Sequence, residues 1–178
     1  MAQDVVWVGL LRGINIGARN RIAMADLRAL VDELGLGPAQ TYIASGNVLL
    51  HGPKAGRANL ARTLQAAIAD ATGLEVPVVL RTAAELRAVV DNHPFGRDTS
   101  HTYVTFLNAK PTAARVARID AKAVAPDRFV VRGSDVYLLY PNLVTGSRLT
   151  GALLERSLGV AGTARNWRTT VKLAELAS

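Results

Sequence analysis

Val5-Val6-Trp7-Val8-Gly9-Leu10-Leu11 runs directly into Arg12-Gly13-Ile14-Asn15-Ile16-Gly17, and this junction anchors the reading of the whole chain. The first seven residues form a continuous apolar run, the pattern of a strand buried on both faces. The residues after it are small, amide and guanidinium types, placed where a strand ends and backbone donors are left without partners. Met24, Leu27, Leu30, Val31 and Leu34 follow at helical spacing, and Gly35 and Gly37 stop that helix. Thr41 to Ser45 and Val48 to Leu50 read as two strands, with Gly46-Asn47 suited to a tight two-residue turn; one bulged strand is the competing reading. Leu60, Leu64, Ala67, Ile68 and Ala71 give a second amphipathic helix, closed by Gly73. Val76 to Leu80 is then a strand. Pro77 cannot donate to a ladder, so this strand belongs at a sheet edge.

The order β-α-β-β-α-β is the ferredoxin-like arrangement, with antiparallel sheet order 4-1-3-2. It puts the end of strand 1 and the turn between strands 2 and 3 at the same end of the sheet. Arg12-Gly13-Ile14-Asn15 and Ser45-Gly46-Asn47 are therefore expected to be neighbours. Thr82-Ala83-Ala84-Glu85 has capping-box spacing and starts a linking helix with Leu86, Val89 and Val90 inward; Asn92-His93-Pro94-Phe95-Gly96 ends it.

The order then repeats. Tyr103 to Leu107 is a strand, and Pro111-Thr112 starts a helix carrying Val116 and Ile119. Arg128 to Val131 and Val136 to Tyr140 are strands around an Arg132 to Asp135 turn. Leu149, Leu153, Leu154 and Leu158 mark a helix capped by Gly159, and a short strand lies near Gly162 to Arg165. Trp167, Thr170, Val171, Ala174 and Ala177 make a final stripe. The fold class is α+β, with two ferredoxin-like units in tandem: residues 1–81, a linking helix and loop over 82–98, and 99–178 with the C-terminal helix. The repetition is one of element order, without residue-level self-similarity.

The totals bound the function classes. A chain of 178 residues with 49% hydrophobic and 20% charged residues is globular rather than disordered. It has no cysteine, which excludes disulfides, thiolate metal sites and cysteine nucleophiles. No apolar stretch approaches the length of about 18 residues needed to span a bilayer. Met1-Ala2-Gln3-Asp4 lacks the basic and apolar regions of a signal peptide, so a cytoplasmic protein without a membrane partner is expected. The net charge is +7 and the isoelectric point about 10.4, a footprint of nucleic-acid binding. Base composition of the source genome explains scattered arginines equally, and aromatics at 5% limit stacking on bases.

Leu10-Leu11-Arg12-Gly13-Ile14-Asn15-Ile16-Gly17, Met24 with Leu27, Thr41-Tyr42-Ile43-Ala44-Ser45-Gly46-Asn47, Asn92-His93-Pro94-Phe95 and Arg165-Asn166-Trp167-Arg168-Thr169-Thr170 with Leu173 occur in one order. In these the chain resembles the bacterial family called domain of unknown function 1697, from about Val5 to Leu176. Ala18 stands where that family usually has a second glycine, and Ala44 where it often has glutamine. The resemblance implies a compact cytoplasmic α/β protein and no particular reaction.

The candidate ligand-binding residues are Arg12, Gly13, Asn15, Gly17, Ser45, Asn47, Arg165, Asn166 and Arg168. If strand 1 ends near Leu11, the connection to the next helix exceeds the roughly 2–6 residues usual for such loops. Gly13 and Gly17 can free backbone N–H groups for an anion, with guanidinium forks of Arg12, Arg19 and Arg21 around them. The competing reading is a tight chain reversal with solvated arginines. The spacing fits neither a Walker loop nor G-x-G-x-x-G, and no cofactor is called for. Ser45-Gly46-Asn47 also reads as turn chemistry. Asn166 is a good helix N-cap, and Arg165 and Arg168 beside a helix N-terminus also suit an anion. Trp167 reads as a core anchor. His51, His93 and His101 lack metal-ligand spacing, and His93 reads as a loop residue packing its ring. No catalytic residue stands out.

The first reading is thus an anion-binding module for RNA or a nucleotide. The alternatives are an enzyme clamping a phosphorylated or carboxylated metabolite, and a structural module that pairs as a homodimer.

Overall fold

The structure is a computed structural model and describes residues 4–178; Met1-Ala2-Gln3, part of the signal-peptide reading, lie outside the described residues. The chain forms two compact units. One runs to Leu86 and includes Leu173–Ser178; the other is Arg87–Lys172.

The first unit contains β1 (Asp4–Leu11), α1 (Met24–Glu33), β2 (Gln40–Thr41), β3 (Asn47–Pro53), α2 (Arg57–Thr72), β4 (Val78–Thr82) and the start of α3 (Ala83–Asp91). Its sheet order is β4-β1-β3-β2 with every pair antiparallel, the ferredoxin-like 4-1-3-2. Pro77 stands immediately before β4, which is an edge strand. Trp7 and Leu11 on one face of β1 pack with Leu27, Val48, Leu50, Leu64 and Ile68, while Val8 and Leu10 on the other face are also fully buried. The uninterrupted apolar run of β1 is thus accounted for on both faces. In α2, Leu60, Leu64 and Ile68 lie four residues apart and turn inward together. Gly73 ends the helix at φ 72°, its N–H bonding to Ala69 O at 2.8 Å.

The expected capping box forms at α3. The Glu85 carboxylate accepts from the Thr82 N–H at 2.8 Å, and Thr82 Oγ1 accepts from the Glu85 N–H at 3.3 Å. Arg57 adds an ion pair at 2.6 Å. Burial by itself would raise the Glu85 pKa; the Thr82 and Arg57 bonds outweigh it and hold the carboxyl below its usual value.

One expectation in this unit is corrected. Gly46-Asn47 is not a two-residue turn between two full strands. β2 pairs only through Gln40↔Leu49 and Thr41↔Val48, and Asn47 is already the first residue of β3. The chain leaves the sheet after Thr41 because residues 42–46 fold into a loop that the Asn47 side chain closes.

The second unit contains the end of α3, then β5 (Thr102–Leu107), α4 (Ala113–Val116), α5 (Ala121–Val124), β6 (Arg128–Arg132), β7 (Asp135–Leu139), α6 (Gly151–Leu158), β8 (Gly162–Asn166) and most of α7 (Trp167–Leu176). Its sheet order, β8-β5-β7-β6, repeats the first with every pair antiparallel. The helix expected after Pro111 is instead two single turns. Thr112 caps the first by accepting from Arg115 N–H, and Asp120 caps the second by accepting from Lys122 N–H at 2.9 Å. A capping carboxylate in mid-segment ends one helix and starts another, and Pro126 stops the second. Leu149, expected inside α6, precedes its Thr150 N-cap; Gly159 closes that helix in the left-handed region as expected.

Candidate functional site

The two units share one construction at the end of the sheet where their first strand finishes. In the first, the Leu11 N–H donates to Gly46 O at 2.8 Å and the Arg12 N–H to Pro77 O at 3.0 Å. In the second, the Leu107 N–H donates to Ser134 O at 2.8 Å and the Asn108 N–H to Ala161 O at 2.9 Å. The expected neighbourhood of the strand 1 end and the strand 2–3 connection is therefore present in the first unit and recurs in the second, where Asn108 is the position equivalent to Arg12.

Beyond Leu11 the first unit builds a folded tip. Gly13 (φ 69°), Asn15 (φ 53°), Gly17 (φ 60°) and Asn20 (φ 48°) are left-handed, a conformation open to Gly and tolerated by Asn. They turn the chain into a small hairpin: the Asn15 N–H donates to Asn20 O at 3.0 Å, and the Arg19 N–H to Ile16 O at 3.2 Å. The Asn20 amide closes the base on Gly13 O at 3.0 Å. Asn15 then acts as a strut. Its Oδ1 accepts from the Ile22 N–H at 2.9 Å, and its Nδ2 donates to Ile22 O at 2.9 Å and to Ala44 O at 2.7 Å. That last bond joins the first motif to the second.

The 42–46 loop is held in the same manner. Asn47 is wholly buried, and its Nδ2 donates to Tyr42 O and to Ser45 Oγ, both at 3.0 Å. Ile43 sits at φ 49°, costly for a β-branched residue, with its side chain 51% exposed. Gly46 is required twice over. It has φ 85°, and a Cβ there would lie 2.8 Å from Leu11 Cβ and 2.9 Å from the Ile14 side chain.

On this frame Arg12 is half-buried, whereas Arg19 and Arg21 are exposed. Neither Arg19 nor Arg21 forms an ion pair among the described residues. No acidic residue occurs between Asp4 and Asp26. Ile16, at the turn of the hairpin, is 68% exposed.

Arg165, Asn166 and Arg168 belong to the second unit. Arg165 lies in β8 opposite Val104 and is buried. Its guanidinium donates to Thr163 Oγ1 at 2.7 Å and to Ala164 O at 2.8 Å, and burial pushes its pKa down to about 10. Asn166 Oδ1 accepts from the Thr169 N–H at 2.8 Å, the expected cap of α7. Arg168 is exposed. Trp167 is an interior anchor, its ring 4.4 Å from that of His93. His93 packs as expected, with Nδ1 3.1 Å from Gly96 O and Nε2 3.2 Å from Thr102 Oγ1; burial, partly opposed by the Gly96 bond, lowers its pKa. Among the described residues no group of three metal-ligating side chains occurs, and no helix is long and apolar enough to cross a membrane.

The motifs read from the sequence contain Ile16 and Ile43 but give neither a role in the site, and Asn20 was missed although an asparagine ending a glycine-containing loop was an available signal.

Comparisons with known proteins agree with this architecture. A conserved bacterial protein, SP0830 from Streptococcus pneumoniae, has a solved structure similar to this one at a TM-score of 0.70 and 19% identity, covering 99% of this chain and 100% of that one. That likeness establishes the shared fold. No curated protein matches the sequence. The family described as protein of unknown function (DUF1697) matches over residues 5–137, a span that holds the whole folded tip, and the chain belongs to that family.

Proposed function

We propose that the protein binds a phosphate-bearing polyanion, RNA, through the Arg12 to Arg21 loop of its first unit. The observation that carries this reading is the placement of Arg19 and Arg21: exposed cations, with no carboxylate between Asp4 and Asp26, on a loop clamped at its base and at its side. A loop already fixed by its own hydrogen bonds loses little conformational freedom on binding. Guanidinium forks match phosphate oxygens in two-point geometry. Arg12 adds a third cation at the strand end, and Gly13 and Gly17 let the backbone approach the ligand closely.

Asn15, Ser45 and Asn47 serve this site as its frame, since their polar atoms engage Ile22, Ala44, Tyr42 and one another. In the second unit, Arg168 can offer a phosphate contact of its own beside the capped start of α7, with Arg165 and Asn166 holding that corner. Arg19, Arg21 and Arg168 stand in solvent. That suits a polyanion approaching from outside better than a nucleotide or metabolite enclosed in a cavity.

The test is fluorescence polarisation of a labelled single-stranded RNA, with ATP as competitor, across a potassium chloride series. Wild type is expected to bind with a steep salt dependence. Arg19→Ala/Arg21→Ala is expected to lower the slope of log K against log salt by about 1.4, at about 0.7 per contact on a single strand. Absence of RNA binding at low salt, or a double variant that binds like wild type, overturns the reading.

A further inference from the structure

The first unit is electrically polarised. Its tip carries Arg12, Arg19 and Arg21 with no acid between Asp4 and Asp26, whereas no lysine or arginine occurs between Arg28 and Lys54 or between Arg62 and Arg81. Those two base-free stretches include the C-terminal halves of α1 and α2. Between these helices lies a groove of about 310 Å³. Its lining includes the apolar Leu27, Leu30, Ile68 and Ala71 together with Asp26 and Glu33. Both carboxylates are exposed. They are seven residues apart on one helix, hence on one face and about 10 Å apart along its axis.

A partner for such a groove needs an apolar side chain flanked by cations. The hairpin tip of this chain has that composition: Ile16 is 68% exposed, and Arg19 and Arg21 follow it closely. We infer that a second copy of this chain seats its Arg12 to Arg21 loop in the α1–α2 groove, so that the protein self-associates through its first unit. Ile22 follows the loop and lines the groove. The two surfaces are therefore contiguous, and a two-fold arrangement satisfies both contacts at once, the commonest symmetry of soluble oligomers. Ile16 supplies apolar burial, and the arginines pair with Asp26 and Glu33.

This inference uses the arginines of the proposed RNA site but does not rest on that reading, because its test contains no nucleic acid. If both hold, RNA and the second copy compete for one loop. The experiment is sedimentation velocity over a protein concentration series at low and high salt. Wild type is expected to dimerise with rising concentration and to dissociate with salt. Asp26→Arg/Glu33→Arg and Arg19→Glu/Arg21→Glu are each expected to remain monomeric, since each sets like charge against like. An equimolar mixture of the two variants is expected to restore the dimer, because opposite charges then meet at both contacts. All four positions are exposed, and far-UV circular dichroism verifies folding. A wild type monomeric at every concentration, variants that associate like wild type, or a mixture that stays monomeric overturns the inference. So does a monomeric wild type whose groove takes up a synthetic cationic amphipathic peptide, since the occupant would then be a different protein.

Discussion

The two units solve one topological problem with different amounts of chain. In the second, Asn108 to Thr112 connects β5 to α4, and Gly133-Ser134 alone joins β6 to β7. In the first, Arg12 to Ala23 connects β1 to α1, and residues 42–46 join β2 to β3. Yet the backbone bonds that tie strand end to turn are the same in both, at 2.8 Å from Leu11 to Gly46 and from Leu107 to Ser134. The short connections of the second unit demonstrate what the fold needs. The extra chain of the first unit exceeds that need: Ile14 and Ile22 anchor it in the core, and side-chain amides rather than the sheet order the rest. Ordered surplus on a rigid scaffold is where binding residues concentrate.

The sharpest break in the comparison comes from the equivalent turn positions. Gly46→Ala forces a Cβ against Leu11 and Ile14 at φ 85°, and a loss of about 2–4 kcal/mol is expected from overpacking and backbone strain together. Ser134→Ala, in the short turn, adds no atom to the turn and is expected to cost less than Gly46→Ala. Urea unfolding of the two variants measures the contrast, and equal losses would mean that the tip is packed no more tightly than an ordinary turn.

Asn15→Ala removes three hydrogen bonds and a left-handed preference, and should cost about 2 kcal/mol. Because those bonds hold the tip, amide exchange over residues 12–22 should quicken more than exchange in β1. Asn108→Ala, at the equivalent of Arg12, is expected to leave exchange at the other tip within about 0.5 kcal/mol of wild type.

Alkaline pH separates the units by their tyrosines. Tyr137 and Tyr140 donate to Val89 O at 2.8 Å and Leu149 O at 2.9 Å, and burial first, then nearby acidic groups, pushes each pKa up to about 12. A phenol ionises near pH 10 in the unfolded chain but near 12 in place. The stability these groups contribute is therefore complete below pH 10 and is lost as pH rises towards 12. Tyr140→Phe should flatten that loss, followed by urea unfolding at stepped pH, and an unchanged slope would dissociate it from Tyr140.

The smallest effect is expected at acid pH. His93 is held neutral in the second unit with a lowered pKa. Its contribution is present above pH 6.5, the unfolded value, and falls away as pH drops through the folded one. His93→Gln should remove this component from the unfolding profile between pH 7 and 5; a profile identical to wild type would mean that the ring is not the titrating group.

Much of the fold was legible in the chain. Apolar periodicity located every strand but β2, and most helices. Pro77 marked the edge strand, Thr82 with Glu85 marked a helix start, and Gly73 and Gly159 marked helix ends. These signals are local: a cap or a turn is satisfied within four residues, so it survives being read one segment at a time. The misreadings share the opposite character. Residues 42–46 leave the sheet although their composition suits a strand, because the buried Asn47 amide draws in Tyr42 O and Ser45 Oγ. The segment after Pro111 breaks because Asp120, though exposed, caps a new turn.

The candidate site divides along the same line. By itself the sequence determined the element order, the 4-1-3-2 sheet of each unit, and the meeting of the Arg12 and Ser45 motifs at one sheet end, all of which follow from hydrophobic period and chain connectivity. Only the tertiary structure decided which polar groups are spent and which face solvent. Asn15 looked like a ligand contact and is a strut, because its partner, Ala44, lies 29 residues away. Arg165 looked like an exposed cation and is buried, because its place in β8 opposite Val104 turns it inward. Arg19 and Arg21 remain in solvent. A side chain's hydrogen-bonding capacity is written in its residue type, but whether a distant backbone consumes it is settled only when the chain has closed on itself.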